Sequence, residues 1–443
     1  MAVVGPESPI AEVGGGLTPE PAKAAETLKV GAFVEDVSPL KSVIMGGYGS
    51  YFITKIACRW SKGVNDPLCA SVIAFSKGSD SLIIISIDLV GLTTPDIQDI
   101  RSAVAAKLSI DPGRVIVCAT HTHQGPDTVG LWGTVLPPES GRDESYMAMM
   151  KKRAADAAVR AWEALKPAKL SYATLQISDL HFNTYEETIP GSPIDNTATI
   201  LRASGEDGKP IATLLNWGCH PTTENEKNRL ISSDWVGAWR EVMIERGAGI
   251  PIFVNGSIGA AIQPDPAWRK TRLHEEGEGQ GFIWAEAMGH EIADRVAPLL
   301  KNMTDVQFDR IEVASKSIQA PMMNSIYRLG WILSVIPFHV PPVGKPIFTE
   351  VTQARMGPLR FGSVPGELSP QIGFEIRKIL GGDAQVLVGL GQGWFGYIID
   401  KNQYDDKRFA YEKMLCIGPG LADAVLAGYR ELAGSKTALK GVD

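Results

Sequence analysis

Between positions 115 and 126 the chain passes from a β-branched apolar run, Val115-Ile116-Val117-Cys118, straight into Ala119-Thr120-His121-Thr122-His123-Gln124-Gly125-Pro126. The run is too short for a helix and is built from residue types that fit a pleated, buried surface, so it reads as a strand. The polar continuation, closed by Gly-Pro, then sets two imidazoles two residues apart at that strand's carboxyl end. If the segment stays extended, His121 and His123 project to the same side. Open α/β sheets bind ligands outside the carboxyl ends of their strands, which makes this a place for chemistry. The competing reading is a surface loop that holds two of the chain's seven histidines.

What precedes this stretch fixes the fold class. Residues 82–87 are continuously apolar apart from Ser86, as in a strand covered on both faces. Thr94-Pro95 then supplies a cap and a first-turn proline for a helix with Ile97, Ile100, Val104 and Leu108 on one face, which Asp111-Pro112-Gly113 ends. Strand, helix and strand in that order predict an α/β fold. Residues 28–33 and 69–75 read as further strands, and residues 144–165 as a long helix. The stretches 169–180, 197–202 and 211–217 alternate polar and apolar residues and predict a second, partly antiparallel sheet. The last of them runs into Asn216-Trp217-Gly218-Cys219-His220-Pro221, again a histidine where a strand stops. Ser232-Ser233-Asp234 is a cap for a helix that stops at Gly247, and residues 252–254 are a strand entering the small-residue loop 255–261. Further on come the turn Ser363-Val364-Pro365-Gly366-Glu367-Leu368, a helix to Leu380, a strand over 386–390, the loop Trp394-Phe395-Gly396-Tyr397 and a closing helix over 421–432. No repeat or linker divides this pattern, so residues 30–443 are expected to form a single catalytic domain behind a flexible leader, 1–29.

Composition narrows the functions. A net charge of −7 over 443 residues leaves no electrostatic footprint for nucleic acid or an anionic membrane. Five scattered cysteines in no CxxC arrangement indicate neither a disulfide framework nor a cysteine metal site. The leader lacks the basic and apolar segments of a signal peptide, and compartment stays open between cytoplasmic and exported. The apolar stretch 329–338 is too short to span a bilayer; it reads as a buried helix or hairpin, or as an apolar lid in transient contact with a membrane surface.

Three histidines at strand ends, His121, His123 and His220, together with Glu367, form a set that suits zinc with a position left open for water. Singly, each has a plainer reading: His220 as a satisfied core residue, Glu367 as a carboxylate favoured at a helix N-terminus. His181, His274, His290 and His339 have no such setting and are assigned to structure or surface. No Gly-x-Ser-x-Gly elbow and no glycine-rich phosphate loop occurs.

The His-Thr-His-x-Gly-Pro segment at 121–126, His220-Pro221, the Pro365-Gly366-Glu367 turn, the Gly396-Tyr397-Ile398 loop and the Tyr411-Glu412 pair occur in an order that resembles the neutral/alkaline non-lysosomal ceramidases and their smaller bacterial relatives. The resemblance implies a layered α/β/β/α sandwich with mixed sheets. It implies a zinc ion held by His121, His220, Glu367 and Tyr397, with His123 as general acid/base, Tyr411 near the reacting carbonyl, and Tyr397 or Tyr411 helping to hold the oxyanion. Two positions depart from the family pattern. The segment that carries a serine in the family reads Gly259-Ala260-Ala261-Ile262-Gln263-Pro264, with Ile262 at the hydroxyl position. The family's arginine after an asparagine is Thr184 after Asn183. The larger members also continue into an immunoglobulin-like domain. The expected function is zinc-dependent cleavage of an N-acyl amide bond in a small hydrophobic substrate, with an ester as the runner-up bond and a non-catalytic, metal-containing binding protein as the alternative class. No nucleic-acid partner is expected.

Overall fold

A nine-stranded mixed sheet forms the first layer of the computed structural model, which describes residues 26–49, 57–273 and 282–434. Its main strands are β1 (Lys29–Asp36), β2 (Cys69–Lys77), β3 (Asp80–Ile87), β4 (Val115–Ala119), β5 (Lys166–Gln176), β6 (Thr197–Gly205), β7 (Pro210–Trp217) and β8 (Ile250–Asn255), in the spatial order β8-β7-β6-β5-β1-β2-β3-β4. The two-residue strand Thr304–Asp305 pairs with β5. The strands expected to make a separate second sheet, β5, β6 and β7, therefore continue the first. The join is small: β1 meets β5 through Lys29↔Pro167 and Val30↔Lys166.

The real second sheet is β9 (Glu312–Pro321), β10 (Pro346–Met356), β11 (Leu359–Ser363) and, in space, a strand at Ala384–Val388. Between β11 and that strand the chain makes the two-residue strand β12 (Glu367–Leu368), so Ala384–Val388 is β13; β14 (Tyr397–Ile398) pairs parallel with β12.

The near-continuous apolar strands are explained by the layers. In β3, Ile83, Ile85 and Ile87 face the helices α1 (Thr94–Leu108) and α2 (Glu144–Glu163), meeting Ile97, Ile100, Met150 and Ala154. The alternate residues Leu82 and Ile84 face inward to Phe361, Val386 and Val388 of the second sheet. On the other half of the first sheet, Trp235 and Trp239 of α3 (Trp235–Glu245) and Met288 and Ile292 of α4 (Ile283–Val296) cover Ile200, Leu215 and Phe253. The second sheet is covered by α6 (Pro370–Leu380) and α8 (Gly420–Gly434), with α5 (Ser325–Ile332) and α7 (Ala410–Leu415) lying beside them in sequence. This is the layered α/β/β/α arrangement expected from the resemblance. Asn216 on β7 bonds across the sheets: its amide donates to Leu387 O and Val254 O at 2.8 Å each and accepts from Leu387 N at 2.8 Å.

Smaller expectations are adjusted. Helix α1 is capped by Thr93, with Thr94 and Pro95 inside its first turn. Asp234 caps α3 as expected, its side chain accepting from Trp235 N. Most of the expected leader and His274 lie outside the described residues. Among the described residues no helix is long and apolar enough to cross a membrane.

Candidate metal centre

The carboxyl ends of β4, β7 and β8 and the turn after β11 come together at one place: the His121 and His220 rings lie 4.9 Å apart, Asn255 bonds to Thr120 O, and both imidazoles face Glu367. Each strand end delivers part of one cluster: β4 leads to His121 and His123, β7 to His220, β8 ends in Asn255, β11 leads to Glu367 and β13 to Tyr397.

The chain does not stay extended through the first histidine. His121 has φ +72°, so the backbone turns there, and its N–H donates to Leu89 O at 2.9 Å. The rings converge nonetheless, His123 Nε2 lying 3.2 Å from His121 Nε2. His121 Nδ1 sits 2.5 Å from Val90 O, and His220 Nδ1 2.6 Å from Ile262 O. A carbonyl can only accept, so in both rings Nδ1 carries a proton, and in the neutral ring Nε2 is the nitrogen with the lone pair. Both Nε2 atoms face one oxygen, Glu367 Oε2, at 3.5 Å and 3.6 Å. The other carboxylate oxygen accepts from Trp394 Nε1 at 3.2 Å. Glu367 Oε2 itself is buried and has no hydrogen-bond partner among the described residues.

These surroundings govern protonation. Burial alone would push the Glu367 carboxyl up, but His121 and His220 beside it hold it well below the usual carboxylate range. Burial, with His121 and His220 as neighbours, lowers the pKa of His123. Burial likewise lowers that of His220, partly offset by Glu367. Tyr397 is raised by burial and by the negative charge of Glu367, and Tyr411, half exposed and 6.0 Å from the Tyr397 ring, is pushed up to about 12.

His121, His123 and His220 offer ligand atoms that all lie within 4.8 Å of one another, a group that could hold a metal ion. The donor chemistry fits: imidazoles oriented through Nδ1 by main-chain carbonyls, as metal-bound histidines are, and a carboxylate oxygen otherwise orphaned in the interior.

These loops are held by residues that no motif in the sequence marks. Asn255 donates to Thr120 O at 2.8 Å and accepts from Gly256 N and Cys219 N at 3.0 and 3.3 Å, tying the His121 and His220 loops together. Gly47, at φ +102°, lies flat against His123, and the Tyr48 ring meets that imidazole edge-on at 4.8 Å. Arg59 donates to the main-chain carbonyls of Gly46 and His123. An asparagine after a strand and a Gly-Gly-Tyr turn carry no local sign of their distant partners. Ile262, at the family's hydroxyl position, is fully buried and its main-chain oxygen accepts from His220 Nδ1; Thr184 is exposed. His181 is buried with both ring nitrogens partnered, and His290 and His339 are exposed.

Fold and site together define a layered α/β protein with a candidate metal centre at the carboxyl ends of its strands. No protein-family model matches the chain. Neutral ceramidase B of Dictyostelium discoideum is 25% identical to it over 130 residues, 27% of this chain and 18% of that protein, so the match spans under a fifth of the curated relative. The neutral ceramidase of Pseudomonas aeruginosa shares the fold with a TM-score of 0.74 at 15% identity, covering 92% of this chain and 75% of the other. A ceramidase complexed with C2 does so with a TM-score of 0.71, at the same identity and coverage. The chain thus shares the fold of the neutral ceramidases.

Proposed function

We propose that this chain is a zinc-dependent hydrolase that cleaves the amide bond of a hydrophobic N-acyl substrate. The observation that supports it most is the common aim of His121 Nε2 and His220 Nε2 at Glu367 Oε2, which has no hydrogen-bond partner among the described residues. Two imidazoles and a carboxylate suit zinc with an open position, and Tyr397, paired in register with Glu367, completes the set of holders. When bound, zinc polarises a carbonyl oxygen and lowers the pKa of a water.

The remaining steps belong to the chain's own side chains. His123 differs from the other two histidines: its Nδ1 has no hydrogen-bond partner among the described residues and its ring packs against Gly47 and Tyr48. A neutral imidazole whose Nδ1 is not fixed by a main-chain carbonyl suits proton transfer, so His123 takes the proton of the attacking water and gives it to the leaving nitrogen. The water oxygen bonds to the carbonyl carbon, the C–N bond breaks, and a carboxylic acid and an amine result. Tyr411 keeps its proton at neutral pH and donates a hydrogen bond to the carbonyl oxygen as negative charge builds there. With isoleucine at position 262, water is the nucleophile.

The substrate class follows from the relatives' names, which denote ceramidases, and from the surface beside the site. The expected lipid contact through 329–338 is redistributed. Val335, Ile336 and Phe338 are buried, while Ile326, Leu329, Ile332 and Leu333 on α5 and the turn after it are exposed. Asn324, which caps α5, donates to Met414 O and Cys416 O at 2.8 and 2.7 Å, so this apolar face borders the helix that carries Tyr411. It suits transient contact with a lipid surface.

The test is a panel of N-acyl amides and aryl esters assayed before and after chelation. Amide turnover lost on chelation and restored by zinc is the expected result. A protein that keeps its metal and turns over no substrate is a binding scaffold, and the hydrolase reading fails.

A further inference from the structure

Helix α7 has six residues, too few to hold a place by itself, so where Tyr411 stands is set by what α7 is tied to. Its carboxyl end is fixed by α5: Asn324 reaches Met414 O and Cys416 O, and the Tyr327 hydroxyl donates to Leu415 O at 2.9 Å. Its amino half meets the loop 184–192, from a distant part of the chain. Tyr185 OH donates to Glu412 Oε2 at 2.5 Å, the Tyr185 and Phe409 rings lie 4.3 Å apart, and Arg408 Nη1 donates to Thr188 O at 3.0 Å.

That loop is rooted beside the histidines. The strand His181–Asn183 pairs antiparallel with Ile262–Pro264, and Asn183 stands opposite Ile262, whose carbonyl orients His220. Asn183 Oδ1 accepts from Tyr185 N at 3.0 Å and Asn183 Nδ2 donates to Pro193 O at 2.9 Å, which closes the loop at both ends. The Glu186 carboxylate accepts from Gly191 N and Ser192 N at 2.9 Å each. Tyr185 is therefore a braced arm from the ribbon that orients His220 to the helix that carries Tyr411. Glu412 has little else to hold it: it is fully buried, and its Oε1 has no hydrogen-bond partner among the described residues. Burial pushes its carboxyl up, and the Tyr185 hydroxyl acts against that.

On the reading that Tyr411 donates to the carbonyl oxygen during amide hydrolysis, we propose that Tyr185 and Glu412 are positioning residues for that step. Their hydrogen bond fixes α7 against the His220 side of the metal centre and so keeps the Tyr411 hydroxyl within reach of the oxygen it serves. Both act through Tyr411. An oxyanion donor works only at bonding distance from where charge develops, so a small displacement of α7 lowers kcat and leaves ground-state binding alone.

The test is a double-mutant cycle on the zinc-loaded full chain with one N-acyl amide. Tyr411→Phe lowers kcat about 100-fold. Tyr185→Phe, which deletes only the hydroxyl, lowers kcat about tenfold with KM unchanged. In the Tyr411→Phe background the same change costs less than about twofold, because the group it positions is already gone. Glu412→Gln, whose side-chain carbonyl still accepts from Tyr185, keeps kcat within about threefold of wild type. Equal losses from Tyr185→Phe in both backgrounds, no loss in either, or a Glu412→Gln loss as deep as that of Tyr185→Phe overturns the positioning role while leaving the hydrolase intact. If the wild type turns over no amide, the hydrolase reading has failed instead, and the place of Tyr411 is read directly. The probe is the fluorine resonance of the chain labelled with meta-fluorotyrosine, assigned by its loss in Tyr411→Phe. A Tyr411 resonance that shifts or broadens in Tyr185→Phe upholds Tyr185 as what positions Tyr411, and one that stays in place overturns it.

Discussion

Replacing Asn255 by alanine removes three buried hydrogen bonds from one side chain: to Thr120 O, from Gly256 N and from Cys219 N. A buried polar group left without a partner costs roughly 1–3 kcal/mol; Gly256 N keeps its bond to Trp217 O at 3.1 Å, so orphaning the Thr120 carbonyl and the Cys219 amide costs about 2–6 kcal/mol in all. That is a large part of the ~5–15 kcal/mol by which a folded domain is stable. The loss also has a functional side, because Thr120 and Cys219 directly precede His121 and His220. Loosening a group that orients metal ligands lowers metal affinity by roughly 10–100-fold. Urea denaturation and zinc affinity by competition with a chromophoric chelator measure both effects. Asn255→Asp, which keeps both amide acceptors and loses only the donor to Thr120 O, falls between wild type and Asn255→Ala in both. If Asn255→Ala unfolds within about 1 kcal/mol of wild type and holds zinc as tightly, the residue does not tie the two loops.

Three further perturbations probe other parts of the account. Gly47→Ala puts a methyl 2.4 Å from His123 Cγ at a backbone φ of +102°, and should cut kcat by about 100-fold while zinc content is retained; unchanged kcat refutes the packing role. Burial, aided by Asp234, pushes the Glu224 carboxyl up to about 7 from an ordinary 4.5. The folded state therefore binds the extra proton between those values, and stability falls as pH rises through that window. Glu224→Gln should raise the melting temperature at pH 8 and leave it unchanged at pH 4, and the opposite order contradicts this sign. Leu329→Asp, at an exposed position on α5, should reduce partition onto phosphatidylcholine vesicles and leave turnover of a short soluble amide unchanged; equal partition removes α5 from the lipid-facing surface.

What could be read from the sequence was local. Strands β3 and β4 announce themselves because both of their faces are buried and their apolar residues are unbroken, and His121, His123 and His220 stand out because they begin where such runs end. Asp234 as a cap is legible for the same reason: its partner, Trp235 N, is the next residue along. Pairing across sequence distance is not written into the short runs. β5, β6 and β7 have the alternation of a sheet with two unlike faces, but whether they start a new sheet or extend the first depends on two residue pairs between β1 and β5. The same holds for the site: Glu367 is recognisable as a carboxylate in a turn, whereas its pairing with Tyr397 and its bond from Trp394 arise only when β11 and β13 lie side by side. Gly47 against His123 and Asn255 between two histidine loops are contacts between residues far apart in the chain, and neither residue type signals its partner.

The central claim is that His121 and His220 hold a catalytic metal with Glu367. Elemental analysis of the purified wild type and of His121→Ala, run beside turnover of an N-acyl amide, tests it most directly. The account predicts one zinc per chain in the wild type, none in His121→Ala, and turnover lost with the metal. A His121→Ala protein that carries no metal and retains full turnover would contradict it.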